Sequence, residues 1–256
     1  MLFTKPIKKG NAEELIINRE KVSAITDAAE IITTGVEGRD GYQADLDIMD
    51  DIDGREGGIL LDYRLTPRTL TVHFLLRAKS PEGYRRAFNA LAEEMAKHRT
   101  PTAIAFSDEP GWTYYGILHE FSAPSPGRLS VEGSLSFVCP DPYKYGPKTE
   151  IPFDRQVTIP AVPFPLYADE ITLRPGEAKE ATVKNLTTGK RIRVMVATSQ
   201  ADTVTIRGGK ILKNTEPVTR YIDYTVSDLH GFLLHAGDRI QAESGTVALT
   251  YRERRL

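Results

Sequence analysis

The sequence predicts a mainly β protein in two parts, an α+β first domain carrying an antiparallel sheet with one helix, followed by a β-sandwich. Three observations lead there. Leu70, Val72, Phe74 and Leu76 alternate with Thr71, His73, Leu75 and Arg77, the period-two signature of a strand with one buried face. Directly after them Ser80-Pro81 supplies an N-cap and a first-turn proline, and Tyr84, Phe88, Leu91 and Met95 recur at helical spacing up to His98. Beyond Tyr167 every apolar run is short and separated from the next by turns such as Thr188-Gly189, Gly208-Gly209 and Ala236-Gly237-Asp238.

In chain order, Leu15-Ile16-Ile17 and Ile31-Ile32 are too brief for helices and read as short strands. Residues 36–58 turn to glycine and aspartate, with Gly38-Arg39-Asp40-Gly41 and Asp53-Gly54-Arg55-Glu56-Gly57-Gly58 as turn signals, and read as a long loop of the kind that carries function. After the strand and helix, Thr102 to Phe106 and Trp112 to Phe121 read as a hairpin about the turn Asp108-Glu109-Pro110-Gly111. Leu129, Val131, Gly133, Leu135 and Phe137 alternate as a further strand. The first domain is placed at residues 1–147. Between Tyr145 and Tyr167 the prolines Pro152, Pro160, Pro163 and Pro165 suggest an irregular spacer. The second domain, residues 148–256, takes strands from runs that include Arg191 to Ala197, Tyr221 to Val226, Phe232 to Leu234 and Thr246 to Tyr251.

Composition narrows the function classes. The 256 residues are 40% hydrophobic and 27% charged, with a net charge of −2, and pI is about 6.2, so no basic field recruits nucleic acid. No apolar stretch approaches the ~18 residues of a membrane span, and the opening Met-Leu-Phe-Thr-Lys-Pro lacks a signal-peptide pattern. Neither membrane insertion nor secretion by a signal peptide is expected. With Cys139 alone, no intrachain disulfide forms, which suits a reducing cytoplasm.

The chemistry-bearing residues do not assemble into a catalytic pattern. Asp45, Asp47, Asp50, Asp51 and Asp53 offer clustered oxygens, but a calcium loop begun at Asp45 puts Met49 at a ligand position and Asp50 where glycine is needed. A solvated acidic loop is the favoured reading, with a subunit contact and a metal site as the alternatives. Cys139, flanked by Val138 and Pro140, reads as a buried thiol at a strand end. His230 and His235 fall on opposite faces of a strand, and His73, His98 and His119 have no metal-binding spacing. Asp108 and Glu109 form a carboxylate pair in a turn, where solvation is the default. Gly208-Gly209-Lys210 and Gly38-Arg39-Asp40-Gly41 lack the strand-loop-helix context of a phosphate cradle. Trp112, Tyr114 and Tyr115 are either a sugar platform or core, with core the stronger reading. No catalytic residue, metal ligand or cofactor site is assigned, and no enzyme is expected.

The order of these features resembles the distal tail protein family of siphophages. The stretches that carry it are the glycine-rich turns at Gly38-Arg39-Asp40-Gly41 and Gly54-Arg55-Glu56-Gly57, the strand Arg68-Thr69-Leu70-Thr71-Val72-His73-Phe74, the helix after Ser80 and the hairpin closed by Trp112-Thr113-Tyr114-Tyr115-Gly116. Gly133-Ser134-Leu135-Ser136-Phe137-Val138-Cys139-Pro140-Asp141-Pro142-Tyr143 follows, then Asn185-Leu186-Thr187-Thr188-Gly189 and Gly231-Phe232-Leu233-Leu234-His235-Ala236-Gly237-Asp238. The resemblance implies a galectin-like second domain and a first domain that forms a hexameric ring at the virion tail tip, assembled in the host cytoplasm. Its partners would be copies of itself, the tail tube protein, a tail-tip hub protein and receptor-binding or cell-wall components. The second half has no large insertion like the arm some members use to hold receptor-binding proteins. A carbohydrate-binding protein at the host surface is the alternative.

Overall fold

A computed structural model describes residues 13–50, 53, 56–97, 100–122 and 129–256. Contacts divide them into two compact units, one reaching Lys144 and including Leu256, the other Tyr145–Arg255. The chain is mainly β with one α-helix among the described residues, as its patterning predicts.

The first unit holds strands β1 (Leu15–Ile17), β2 (Glu20–Lys21), β3 (Ala29–Glu37), β4 (Ala44–Met49), β5 (Ile59–Leu65), β6 (Arg68–Ala78), β7 (Thr102–Phe106), β8 (Tyr114–Ser122) and β9 (Ser130–Cys139). Seven of these make one sheet in the order β2-β1-β7-β8-β9-β6-β3. Strand β6 pairs antiparallel with β3 and β9, and it buries Leu70, Val72, Phe74 and Leu76 on one face. Register places Phe74 opposite Gly133, where a Cβ would come within 2.5 Å of the Phe74 ring, so glycine there is what lets the ring lie across β9. That ring meets Phe121, which stacks on Phe88 of helix α1 (Pro81–Ala96). The helix starts where the sequence predicts: Ser80 Oγ accepts the Gly83 N–H at 3.0 Å, and Tyr84, Ala87, Leu91 and Met95 are buried on the sheet. His98 lies outside the described residues.

The second unit holds β10 (Lys144–Asp154), β11 (Gln156–Thr158), β12 (Ala168–Arg174), β13 (Ala181–Asn185), β14 (Arg191–Val194), β15 (Val204–Arg207), β16 (Lys210–Lys213), β17 (Glu216–Pro217), β18 (Arg239–Ala242) and β19 (Thr246–Arg255). A six-stranded sheet, β10-β19-β12-β15-β16-β17, and a four-stranded one, β11-β18-β13-β14, share one core. Leu173, Val247 and Leu249 come from the first; Val183, Ile192, Val194 and Ile240 come from the second. This is the β-sandwich the short strands predict.

Two expectations give way here. The proline-rich window is not an irregular spacer, because β10 and β11 occupy its first half. Strand β10 lies at a sheet edge, the position in a sheet where prolines such as Pro147 and Pro152 are tolerated. Residues 221–226 and 232–234 form no extended strands; they contribute a 3₁₀ turn, Thr219–Tyr221, and single bridges at Ile222 and Leu234. Asp223 takes the backbone N–H and hydroxyl of Thr225, a local turn that outcompetes strand pairing. His230 and His235 therefore lie in turns, not on one strand.

The buried carboxylate of this unit ties two of the motifs together. Asp238, 2% exposed, accepts Asn185 Nδ2 at 2.7 Å and the His235 N–H at 2.9 Å, while Asn185 Oδ1 caps Thr187 and Thr188. Asp238→Ala is expected to strand the Asn185 amide without a partner and to cost about 2–4 kcal/mol, read from the urea midpoint at unchanged m-value.

Candidate assembly surface

The segment expected as a long loop is a β-hairpin. β4 pairs antiparallel with β5, with Leu46 opposite Tyr63 and Ile48 opposite Leu60, and with an irregularity between Asp47 and Ile48. Alternation puts those four apolar side chains on one side and Asp45, Asp47, Asp62 and Arg64 on the other, where the pair Met49 and Ile59 also falls. Both sides are open: Leu46 is 55%, Leu60 57% and Tyr63 51% exposed. Arg64 pairs with Asp45 at 2.9 Å on the charged side. A two-stranded hairpin is marginal in water by itself, and a contiguous exposed apolar face on it marks a contact surface.

Its root is fastened to the sheet by two arginines. After β3 the chain turns at Gly38, whose φ is +86° and where a Cβ would lie 2.0 Å from the Thr69 carbonyl oxygen, so glycine alone fits. The carbonyls of Gly38 and Arg39 accept from Arg68 Nη1 at 2.6 and 2.9 Å, and the same guanidinium donates from Nε to the Pro142 carbonyl at 2.8 Å. Arg68 is 5% exposed and lies 5.6 Å over the Tyr114 ring. One buried side chain thus joins the start of β6, the approach to the hairpin and the exit from β9.

Arg39 is the second fastening. Its guanidinium lies 4.4 Å over the Phe106 ring, meets Asp108 at 2.9 and 3.1 Å and reaches Glu109 at 3.4 Å. Glu109 also takes Lys144 Nζ at 2.6 Å. Burial opposes the Arg39 charge, yet the Asp108 carboxylate more than offsets it and holds the guanidinium above its ordinary value. Asp108 and Glu109 are therefore ion-paired anchors, not a solvated turn, and Arg39 is already engaged within its own chain. Asp51 and Arg55 lie outside the described residues.

The remaining candidates stay apart from this surface. Among the described residues no group of three or more histidine, cysteine, aspartate or glutamate side chains is arranged to hold a metal, and no helix is long and apolar enough to cross a membrane. Tyr114 is a core residue, edge-on to Phe106, while Trp112 precedes the strand and has Lys144 5.8 Å over its ring. Cys139 is fully buried, and burial pushes its thiol up to about 11. It should stay unmodified by a thiol reagent at pH 8 in the native protein and react fully once urea unfolds the chain. The native state keeps the proton longer than the unfolded chain, so this group's contribution to stability is complete below the ordinary value of 9.0 and lost as pH rises through about 11.

Residues 24–139, from the turn before β3 to the last residue of β9, match the family model described as the phage tail protein RIFT-related domain. That stretch of the first unit is thus similar to a phage tail domain. Across 114 residues, 44% of this chain, it is 32% identical to the distal tail protein of Bacillus phage SPP1, and the match spans 44% of that relative's length. Most of the chain is similar in fold to the SPP1 Dit crystal structure, described as a paradigm of the hub adsorption apparatus in phages infecting Gram-positive bacteria. That match has a TM-score of 0.79 at 19% identity and covers 95% of this chain and 99% of the other. A chain of the phage p2 baseplate in its activated conformation matches with a TM-score of 0.55 at 10% identity, over 88% of this chain and 90% of that one. The resemblance to the siphophage distal tail protein family, read from the order of the motifs, is borne out.

Proposed function

We propose that this chain is a structural, non-enzymatic component of a phage tail tip that closes into a homo-hexameric ring and joins the tail tube to the tip. The relatives it matches are tail, hub and baseplate proteins, which supports the tail-tip role. The observation that carries the ring is the open apolar face of the β4–β5 hairpin, held on a root locked by Arg39 and Arg68. A ring needs two different patches on each subunit, and a separate hairpin that leaves its own apolar side open supplies one of them. The residues 1–147 form the ring-building domain in this reading and residues 148–256 a separate one. Copies of itself, the tail tube protein and the tail-tip hub protein are the partners, and assembly takes place in the host cytoplasm. Gold-labelled antibody raised against the purified chain should decorate the distal end of the tail in electron micrographs. Decoration along the tube or at the head would contradict the proposal.

A further inference from the structure

The second unit holds a hollow of about 620 Å³. Its floor comprises Ile171, Ile192, Ile206 and Phe232, each no more than 6% exposed. What a visiting molecule meets is the rim. Tyr167 stands 55% exposed and Tyr224 70% exposed, with His230 also exposed and the Gly208-Gly209 turn beside them. Both glycines have positive φ, +54° and +75°, and a Cβ on either would meet nothing within 4 Å, so this part of the rim is bare backbone facing open space.

The charges nearby are spent on one another or point elsewhere. Asp228 pairs with Lys190 at 3.2 Å, and Arg193 pairs with Glu180 at 2.6 Å and Asp223 at 3.4 Å. Arg207 and Lys210 flank the glycine turn opposite each other, but Ile206 and Ile211 take the inward face, so alternation sends the two cations to the outer face of the sheet. The rim therefore combines phenol rings, an imidazole and open backbone without a free charge lining it.

We propose that this hollow binds an uncharged saccharide. Tyrosine rings offer apolar faces to the C–H faces of a sugar ring, while their hydroxyls, the imidazole and the turn backbone can bond its hydroxyl groups. The volume lies within the range of small-ligand sites. A protein anchor would be better served by exposed aliphatic side chains, and besides the buried floor the lining offers only the partly buried Ala168 and Leu229. A second aromatic-bearing hollow of this unit is preoccupied, since Arg174 lies 3.7 Å over the Phe153 ring.

The test uses saturation-transfer NMR and titration of the full chain against maltotetraose and the N-acetylglucosamine tetramer as uncharged probes. Polygalacturonate serves as a charged probe and an apolar peptide as a protein-like one. At least one uncharged probe should bind, Tyr224→Ala and Tyr167→Ala should each weaken it roughly ten-fold, and Tyr224→Phe should retain most of the affinity. Both tyrosines are exposed, so thermal unfolding and the mass of the assembly should not change, which separates this site from the ring. Failure of both uncharged probes at on the order of 10 mM, binding that survives both alanine variants, or preference for polygalacturonate or the peptide would overturn the proposal.

Discussion

The double variant Leu46→Asp, Leu60→Asp is expected to sediment as a monomer of 28.5 kDa while its circular dichroism stays that of the parent protein. Both side chains are more than half exposed in the single chain, so folding loses little when they change. In a ring the same face is covered, and each leucine then contributes roughly 1.5–3 kcal/mol of apolar burial, to which a buried unpaired carboxylate adds a further penalty. Together the two substitutions should weaken association by at least about 4 kcal/mol, close to a thousand-fold. Replacing the charged side instead, as in Asp45→Asn, should do little, because the Asp45–Arg64 pair is exposed and screened by solvent. Equal loss of assembly in both variants would show that the apolar side is not the contact.

Arg68→Ala should have the largest effect on the fold of the first domain. The change leaves the carbonyls of Gly38, Arg39 and Pro142 without their shared donor and opens a void beside Tyr114. Losing a buried charged donor of this kind costs about 3–5 kcal/mol. In a domain of this size that is several degrees of thermal midpoint. Arg68→Lys should recover only part of it, since one ammonium cannot reproduce the fork that spans three carbonyls. Amide exchange should rise first at β4 and β5, the strands whose root the arginine holds; uniform exchange across the sheet would mean that Arg68 stabilises the domain without positioning the arm.

How much of this was legible in the sequence varied with the kind of signal. Strand β6 and helix α1 could be read from residues 68–96 because burial there is one-sided and Ser80-Pro81 marks the change of period. The β4–β5 hairpin could not. Its alternation of Leu46 and Ile48 with Asp45 and Asp47 is present, but both faces are open, so no core pattern accompanies it, and the irregularity at Leu61 breaks the period in β5. The pairing of Arg39 with Asp108 spans 69 residues, and nothing local announces it. Turn chemistry at Asp223 defeated an apparently alternating run from Tyr221 to Val226. Edge position excused the prolines of β10.

Sedimentation equilibrium of the purified chain reads the assembly state of the ring. A hexameric ring sediments as a species of about six times the 28.5 kDa monomer mass, which the Leu46→Asp, Leu60→Asp variant should not form. A parent protein that stays monomeric at every concentration reached, or a ring that the variant forms as readily as the parent, would contradict the proposed assembly.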